Sequence, residues 1–176
     1  METNRVANSC SSQKVVFLDR DGTLNVDCGY VHLVEDWKFT PEAEIALQKL
    51  AAAGFVLTVV TNQSGIGSGR FSRDEVDHLH SHMLSLLSQS GVSIAAIAVC
   101  PHSRLLGCSC RKPKTGLANH IADAIGPIDY RHSWTIGDKP SDIEFGRALQ
   151  TRTALIRSRY WADGQLSTFP DVVADS

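Results

Sequence analysis

Two aspartates one residue apart, Asp19 and Asp21, close the apolar run Val15-Val16-Phe17-Leu18 and are followed at once by Gly22. Uninterrupted apolar residues of β-branched and aromatic type predict a strand buried on both faces, as in a parallel sheet. In open α/β sheets ligands gather beyond the carboxyl ends of the strands, where this pair stands. On extended backbone the side chains at i and i+2 point the same way, so Asp19 and Asp21 address one small volume while Arg20 points elsewhere. Carboxylates that close repel each other unless a cation or a shared proton intervenes. A strand running into an ordinary Asp-Gly turn would carry the same letters. The partners further along the chain favour a metal-assisted nucleophilic site instead.

A second set is Cys100-Pro101-His102, a spacer of five residues, then Cys108-Ser109-Cys110. Three thiols and an imidazole make a Cys₃His set, suited to a tetrahedral structural zinc. Four protein ligands leave no open position, so such a zinc staples a loop and does not catalyse. A redox role for the Cys-x-Cys pair would leave His102 idle. A third set, Thr61-Asn62-Gln63-Ser64-Gly65-Ile66-Gly67, offers short donors and exposed backbone N–H groups, the makings of a phosphate cradle. Standing alone it would pass for a glycine-rich turn. Arg111-Lys112-Pro113-Lys114 is a basic run directly behind the cysteines, and Gly137-Asp138-Lys139-Pro140-Ser141-Asp142 brings two more carboxylates. His78, His80 and His82 look like a metal tract, but on a helix only His78 and His82 share a face. They are read as surface or internally satisfied histidines.

The elements that must position these residues follow from pattern. Asn25 to Thr40 is a polar-aromatic loop, long enough to be functional. Thr40-Pro41-Glu42 reads as cap and first turn of a helix whose apolar face runs through Ile45, Leu47 and Leu50 until Gly54. Phe55 to Val60 is a buried strand. Ser72 to Ser90 is a helix opened by a Ser72/Glu75 capping box. Strands at Ile94–Val99, His132–Ile136 and Thr153–Ile156 alternate with helices at Leu117–Ile125 and Ser141–Leu149. Strands alternating with helices predict an α/β fold with a central parallel sheet. One domain is expected over 14–160, with a disordered tail at 1–13 and a polar tail at 161–176.

Composition limits the partners. Of 176 residues, 43% are hydrophobic and 20% charged, with a net charge of −2. That balance gives no electrostatic case for nucleic acid or an anionic membrane, and no apolar stretch reaches spanning length. The start, Met1 to Gln13, lacks the apolar core of a secretory signal. Five cysteines, Cys10, Cys28, Cys100, Cys108 and Cys110, with three beside a histidine, argue for metal and a cytoplasmic setting over a disulfide framework.

Asp19-Arg20-Asp21-Gly22-Thr23 resembles the first motif, DxDGT, of the haloacid dehalogenase superfamily of phosphotransferases. Thr61 at a strand end resembles the second motif, Lys112 the third, and Gly137-Asp138-Lys139-Pro140-Ser141-Asp142 the fourth, GDxxxD; together they cover roughly Val15 to Ile156. The resemblance implies a Rossmann-like three-layer α/β sandwich. No gap between motifs is long enough for the inserted cap domain common in that superfamily, so a capless form is expected. It also implies a magnesium-dependent phosphoric monoester hydrolase. Asp19 would attack phosphorus and Asp21 serve as general acid and base. Asp19, Asp138 and the Asp21 carbonyl would hold Mg²⁺, while Thr61 and Lys112 hold the transferring oxygens.

Within the superfamily, Gly29-Tyr30-Val31-His32, the Thr61–Gly67 stretch and the Cys-Pro-His…Cys-x-Cys-Arg-Lys-Pro loop resemble the heptose-bisphosphate phosphatase branch. The histidinol-phosphatase branch shares the zinc loop and is a near relative. The first implies removal of the 7-phosphate of a heptose 1,7-bisphosphate in nucleotide-heptose synthesis, for lipopolysaccharide core or a related glycan. The second implies histidinol phosphate or another small sugar phosphate. Substrate contacts would come from Asp27, Cys28, Gly29, Tyr30, Asn62, Gln63, Ser64, Arg111 and Lys139. A monomer acting on a small sugar bisphosphate is expected, and a non-catalytic zinc-binding module is disfavoured because every catalytic position is filled. Two departures stand out: Cys28 where the heptose enzymes often carry histidine, and Lys114-Thr115-Gly116-Leu117 in place of x-Pro-Gly-Met.

Overall fold

The computed structural model describes residues 11–158 and 168–175. Six strands form one parallel sheet: β1 (Val15–Leu18), β2 (Val56–Asn62), β3 (Ala96–Cys100), β4 (Trp134–Gly137), β5 (Arg152–Ile156) and β6 (Val172–Ala174). Their spatial order is β3-β2-β1-β4-β5-β6, so β1 lies in the interior beside the reversal of strand order. Every residue of β1 is buried, the reason its sequence shows no polar alternation. Val15 and Phe17 pack with Leu117, Ile121 and Phe145, from helices α4 (Gly116–Ile125) and α5 (Pro140–Leu149). Val16 and Leu18 pack on the opposite face with Leu47, Met83 and Leu87, from α1 (Ala43–Ala52) and α3 (Arg73–Gln89), the single turn α2 (Ser64–Gly67) lying between these two in the chain. Side chains alternating across one strand thus hold both helical layers, and the expected three-layer sandwich results. No second domain interrupts the connections among the described residues. Among these residues no helix is long and apolar enough to cross a membrane.

Four local expectations are corrected. Thr40 does not cap α1: its hydroxyl donates to Thr23 O (2.6 Å), and the helix starts at Ala43 behind Glu42, whose φ is 61°. Thr40 thereby ties the Asn25–Thr40 loop to the turn after β1. His132 does not open β4 but lies in a 3-10 turn, pairing with Asp129 at 2.7 Å. Gln13, expected in the tail, bridges Ile128 and donates from Nε2 to Ile125 O (2.6 Å). The expected C-terminal tail supplies β6, which pairs Val172 with Ala154. Residues 1–10, 159–167 and 176 of the expected tails and domain end lie outside the described residues. The Ser72/Glu75 capping box forms as expected at the start of α3.

Candidate active site

The three central strands end at one edge of the sheet, and each delivers part of the site there. Asp19 leaves β1 with its N–H still donating to Ile136 O on β4 (2.9 Å). Thr61 and Asn62 form the end of β2, and Asp138 directly follows the last residue of β4. Lys112 comes from the loop between β3 and α4. Its ammonium donates to Asp19 Oδ1 (2.8 Å) and Val60 O (2.6 Å) and pairs with Asp142 Oδ1 (2.7 Å). Asn62 fixes the backbone of that lysine from both sides, accepting from Lys112 N (3.1 Å) and donating to Lys112 O (3.2 Å). Burial would raise the Asp19 carboxyl, but the ammonium groups of Lys112 and Lys139 outweigh it and hold it below the usual range.

Asp19, Asp138 and Asp142 each place a carboxylate oxygen within 4.8 Å of the others. Burial, with Asp19 and Asp142 nearby, pushes Asp138 up to about 7 against the opposing pull of Lys139. Asp138 Oδ2 is buried with no hydrogen-bond partner among the described residues. Lys139 Nζ meets Asp21 O and Asp138 Oδ1, both at 2.8 Å, and lies 3.7 Å from Asp19 Oδ2. The three oxygens expected to hold magnesium therefore converge on one volume that already suits a cation. Hard oxygen donors fit Mg²⁺, and the unpartnered Oδ2 of Asp138 adds a further donor beside them.

Gly22, at φ +91°, makes the crowding possible: a Cβ there would lie 2.2 Å from Asp138 Oδ2. Gly22→Ala is expected to lose about 1–3 kcal/mol through backbone strain and to displace the Asp138 carboxylate. Thermal melting and Mg²⁺-dependent phosphate release should both fall. A variant matching the parent in both would show that Asp138 has room to spare.

The four candidate zinc ligands also meet. The Sγ separations are 3.6 Å for Cys100–Cys108, 3.3 Å for Cys100–Cys110 and 3.5 Å for Cys108–Cys110, and His102 Nδ1 is 3.2 Å from Cys110 Sγ. Zinc–sulfur bonds of ~2.3 Å set the edges of a tetrahedron at about 3.8 Å, close to this spacing. Burial pushes the Cys100 thiol up to about 12, so a cation must draw it into the thiolate form. Lys114 donates to Gly107 O (3.0 Å) and Cys108 O (2.7 Å) and so braces the loop.

A cavity of about 750 Å³ opens over the strand ends. Of the expected site residues, Asp19, Asp21, Asp27, Gly29, Tyr30, Thr61, Asn62, Gln63, Ser64, Arg111, Lys112 and Lys139 line it. Cys28 is exposed and is not in its wall. Asp138 is fully buried beneath it. Gln63 Nε2 donates to Asp21 Oδ2 (2.8 Å) and Thr61 Oγ1 (2.9 Å), so this amide orders its neighbours as well as facing the cavity. Of the four lining residues outside the expected set, Arg104, Pro140, Ser141 and Asp142, two are charged. Asp142 pairs with Lys112 and accepts from Lys139 N (3.0 Å); its place four residues after Asp138 was the available signal. Arg104, in the spacer of the zinc loop, lines the cavity; no residue pattern marked it.

Comparison with known proteins gives one consistent answer. The family model for polynucleotide kinase 3 phosphatase matches residues 14–154. The D-glycero-beta-D-manno-heptose-1,7-bisphosphate 7-phosphatase of Pasteurella multocida is 39% identical over 150 residues, 82% of this chain and 81% of that one. The enzyme of the same name from Haemophilus influenzae is 38% identical over 170 residues, 93% of this chain and 92% of that one. The crystal structure of D,D-heptose 1,7-bisphosphate phosphatase from B. bronchiseptica, in complex with magnesium and phosphate, superposes with a TM-score of 0.75. It is 31% identical and covers 82% of this chain and 80% of its own.

Proposed function

This chain belongs to the haloacid dehalogenase-like phosphatases that include the heptose-1,7-bisphosphate 7-phosphatases, and from that premise we propose that it hydrolyses the 7-phosphate of D-glycero-D-manno-heptose 1,7-bisphosphate through an aspartyl phosphate on Asp19. The observation that carries the reading is the cavity itself. Asp19, Asp21 and Lys112 meet in it, and the guanidinium-bearing Arg104 and Arg111 share its wall. A substrate with a phosphate at each end matches that distribution of charge.

In the first step an oxygen of Asp19 forms a bond to phosphorus as the bond to the sugar oxygen breaks. Asp21 gives its proton to that leaving oxygen. In the second, Asp21 takes a proton from a water whose oxygen attacks the same phosphorus, releasing phosphate and restoring Asp19. Lys112, held by Asp142 and by the Asn62 clamp, sets a fixed positive charge beside the reacting centre. Thr61 and Ser64 offer hydroxyl donors to the transferring oxygens. Asp19, Asp138 and the Asp21 carbonyl would hold Mg²⁺, which would supply neutralisation of the phosphoryl charge. Cys100, His102, Cys108 and Cys110 would hold zinc, which would anchor the loop that carries Arg111 and Lys112. Gathered free thiols support a cytoplasmic enzyme, here read as a monomer acting on a small molecule.

Arg111 tests the reading. Among the described residues it makes one hydrogen bond, from Nη1 to the His102 carbonyl at 3.5 Å, so its fork is available for a second phosphate. Arg111→Ala should cost ~1.5–3 kcal/mol, or about 10–150-fold in kcat/KM, with a heptose bisphosphate. The loss with a monophosphate should be small. An equal loss with both, or a parent enzyme that prefers histidinol phosphate, would overturn the bisphosphate reading.

A further inference from the structure

One buried ionic group has no part in the mechanism above. Arg20 is fully buried, the largest side chain to be so among the described residues. It curls back onto the neighbouring carboxylate: Nε donates to Asp21 Oδ1 (3.0 Å) and Nη2 to Asp21 Oδ2 (2.9 Å). Nη2 also donates to Val31 O (2.5 Å), and Nη1 lies 3.2 Å from His80 Nε2. His80 belongs to the histidine tract of α3 and is buried. Burial, with Arg20 beside it, pushes this imidazole down to about 3, so the ring is neutral and its Nε2 accepts from the guanidinium. His78 and His82 of the same tract, by contrast, are exposed and half-buried.

We propose that Arg20 and His80 are positioning residues for the acid–base chemistry of Asp21. The fork of Arg20 fixes the plane of the Asp21 carboxylate, while His80 and the Val31 carbonyl fix the fork. Guanidinium geometry matters here, because a lysine ammonium is a point charge and cannot hold two oxygens in a plane. The arrangement also distinguishes the two oxygens. Oδ2 takes donors from both Arg20 and Gln63 (2.8 Å), whereas Oδ1, among the described residues, takes only Arg20 Nε. Oδ1 is therefore the atom with room to carry a proton to the leaving sugar oxygen and to take one from the incoming water. The loop that begins beyond Asn25 is joined to the same network through Val31, and α3 through His80.

The inference rests on Asp21 being the general acid of the proposed reaction, and the test separates the two. Arg20→Lys, His80→Leu, His80→Gln and Asp21→Asn are compared on a sugar bisphosphate and on p-nitrophenyl phosphate, with product release followed before the steady state. A sugar alkoxide needs a proton to leave; nitrophenolate does not. Arg20→Lys and His80→Leu are expected to slow release from the sugar phosphate about 10–100-fold through kcat, with KM little changed. Their nitrophenolate burst should stay close to the parent rate. His80→Gln, which keeps an acceptor, should restore the rate lost in His80→Leu, and this pair decides the matter if Arg20→Lys does not fold. Equal losses on both substrates, or none, in the Arg20 and His80 variants while Asp21→Asn depends on the leaving group would overturn the positioning role alone. An Asp21→Asn enzyme without leaving-group dependence would overturn the acid–base reading and this inference with it.

Discussion

Asp19→Asn is expected to abolish phosphate release, by more than ~10³-fold, on the scale of removing the nucleophile from an enzyme that works covalently. An amide cannot form the acyl phosphate. It is also a poor partner for Lys112, whose ammonium sits 2.8 Å from Asp19 Oδ1 and is almost wholly shielded from water. The fold should survive, because asparagine keeps the shape of the carboxylate and Lys112 retains Asp142 at 2.7 Å. The informative comparison is a melting curve beside a rate measurement, with borohydride trapping or mass spectrometry for the acyl phosphate. The parent should yield labelled Asp19 and the variant none. An Asp19→Asn enzyme that keeps more than a small fraction of the parent rate, with deamidation excluded, would rule out the aspartyl phosphate.

Removing one zinc ligand should have the second largest effect, and on both stability and rate. In Cys108→Ser a soft thiolate is replaced by a hydroxyl that binds zinc poorly, and the three remaining donors lose the closed tetrahedral set. Leu105 and Leu106 of the Cys100–Cys110 loop face solvent, so besides the ligands the loop relies on hydrogen bonds to its carbonyls, such as those from Lys114 and Arg111. The loss should reach the upper range for single substitutions, roughly 3–5 kcal/mol, or about 6–20 °C in Tm at ~2–4 °C per kcal/mol. Activity should fall about 10–100-fold even well below the melting range, because Lys112 follows the last ligand by two residues and a small displacement of a positioned charge is costly. The Asn62 clamp tempers that loss by gripping Lys112 from β2. Elemental analysis should find about one zinc in the parent, as one four-ligand site requires, and much less in the variant. Full activity in zinc-free protein would refute the structural role.

Sequence alone settled whatever depends on residues close together in the chain. The run Val15–Leu18 could only be a strand covered on both sides, and it is. The Ser72/Glu75 box closes within one turn of helix. The four cysteine and histidine ligands lie within eleven positions, so their meeting needed only a loop to fold on itself. Order and type of the motifs were enough to indicate the class of chemistry. Tertiary structure decided everything that relies on distant partners. Lys112 finds Asp19 across 93 positions, and Asp142 was overlooked because its ion pair with that lysine exists only once β4 lies beside β1. Thr40 had the local signature of a cap, but the carbonyl of Thr23 lay within reach and the helix began later. Val172–Ala174 is too short to be marked as a strand by its two valines and becomes one because β5 leaves an edge to pair with. Arg20 was expected to point away from the site, and its side chain does leave the cavity. Only the fold reveals that it turns back to grip Asp21, because the histidine and carbonyl that steer it belong to α3 and to a loop. Local pattern encodes periodicity and short-range geometry; it carries no information on which distant polar group will be near enough to satisfy a buried charge.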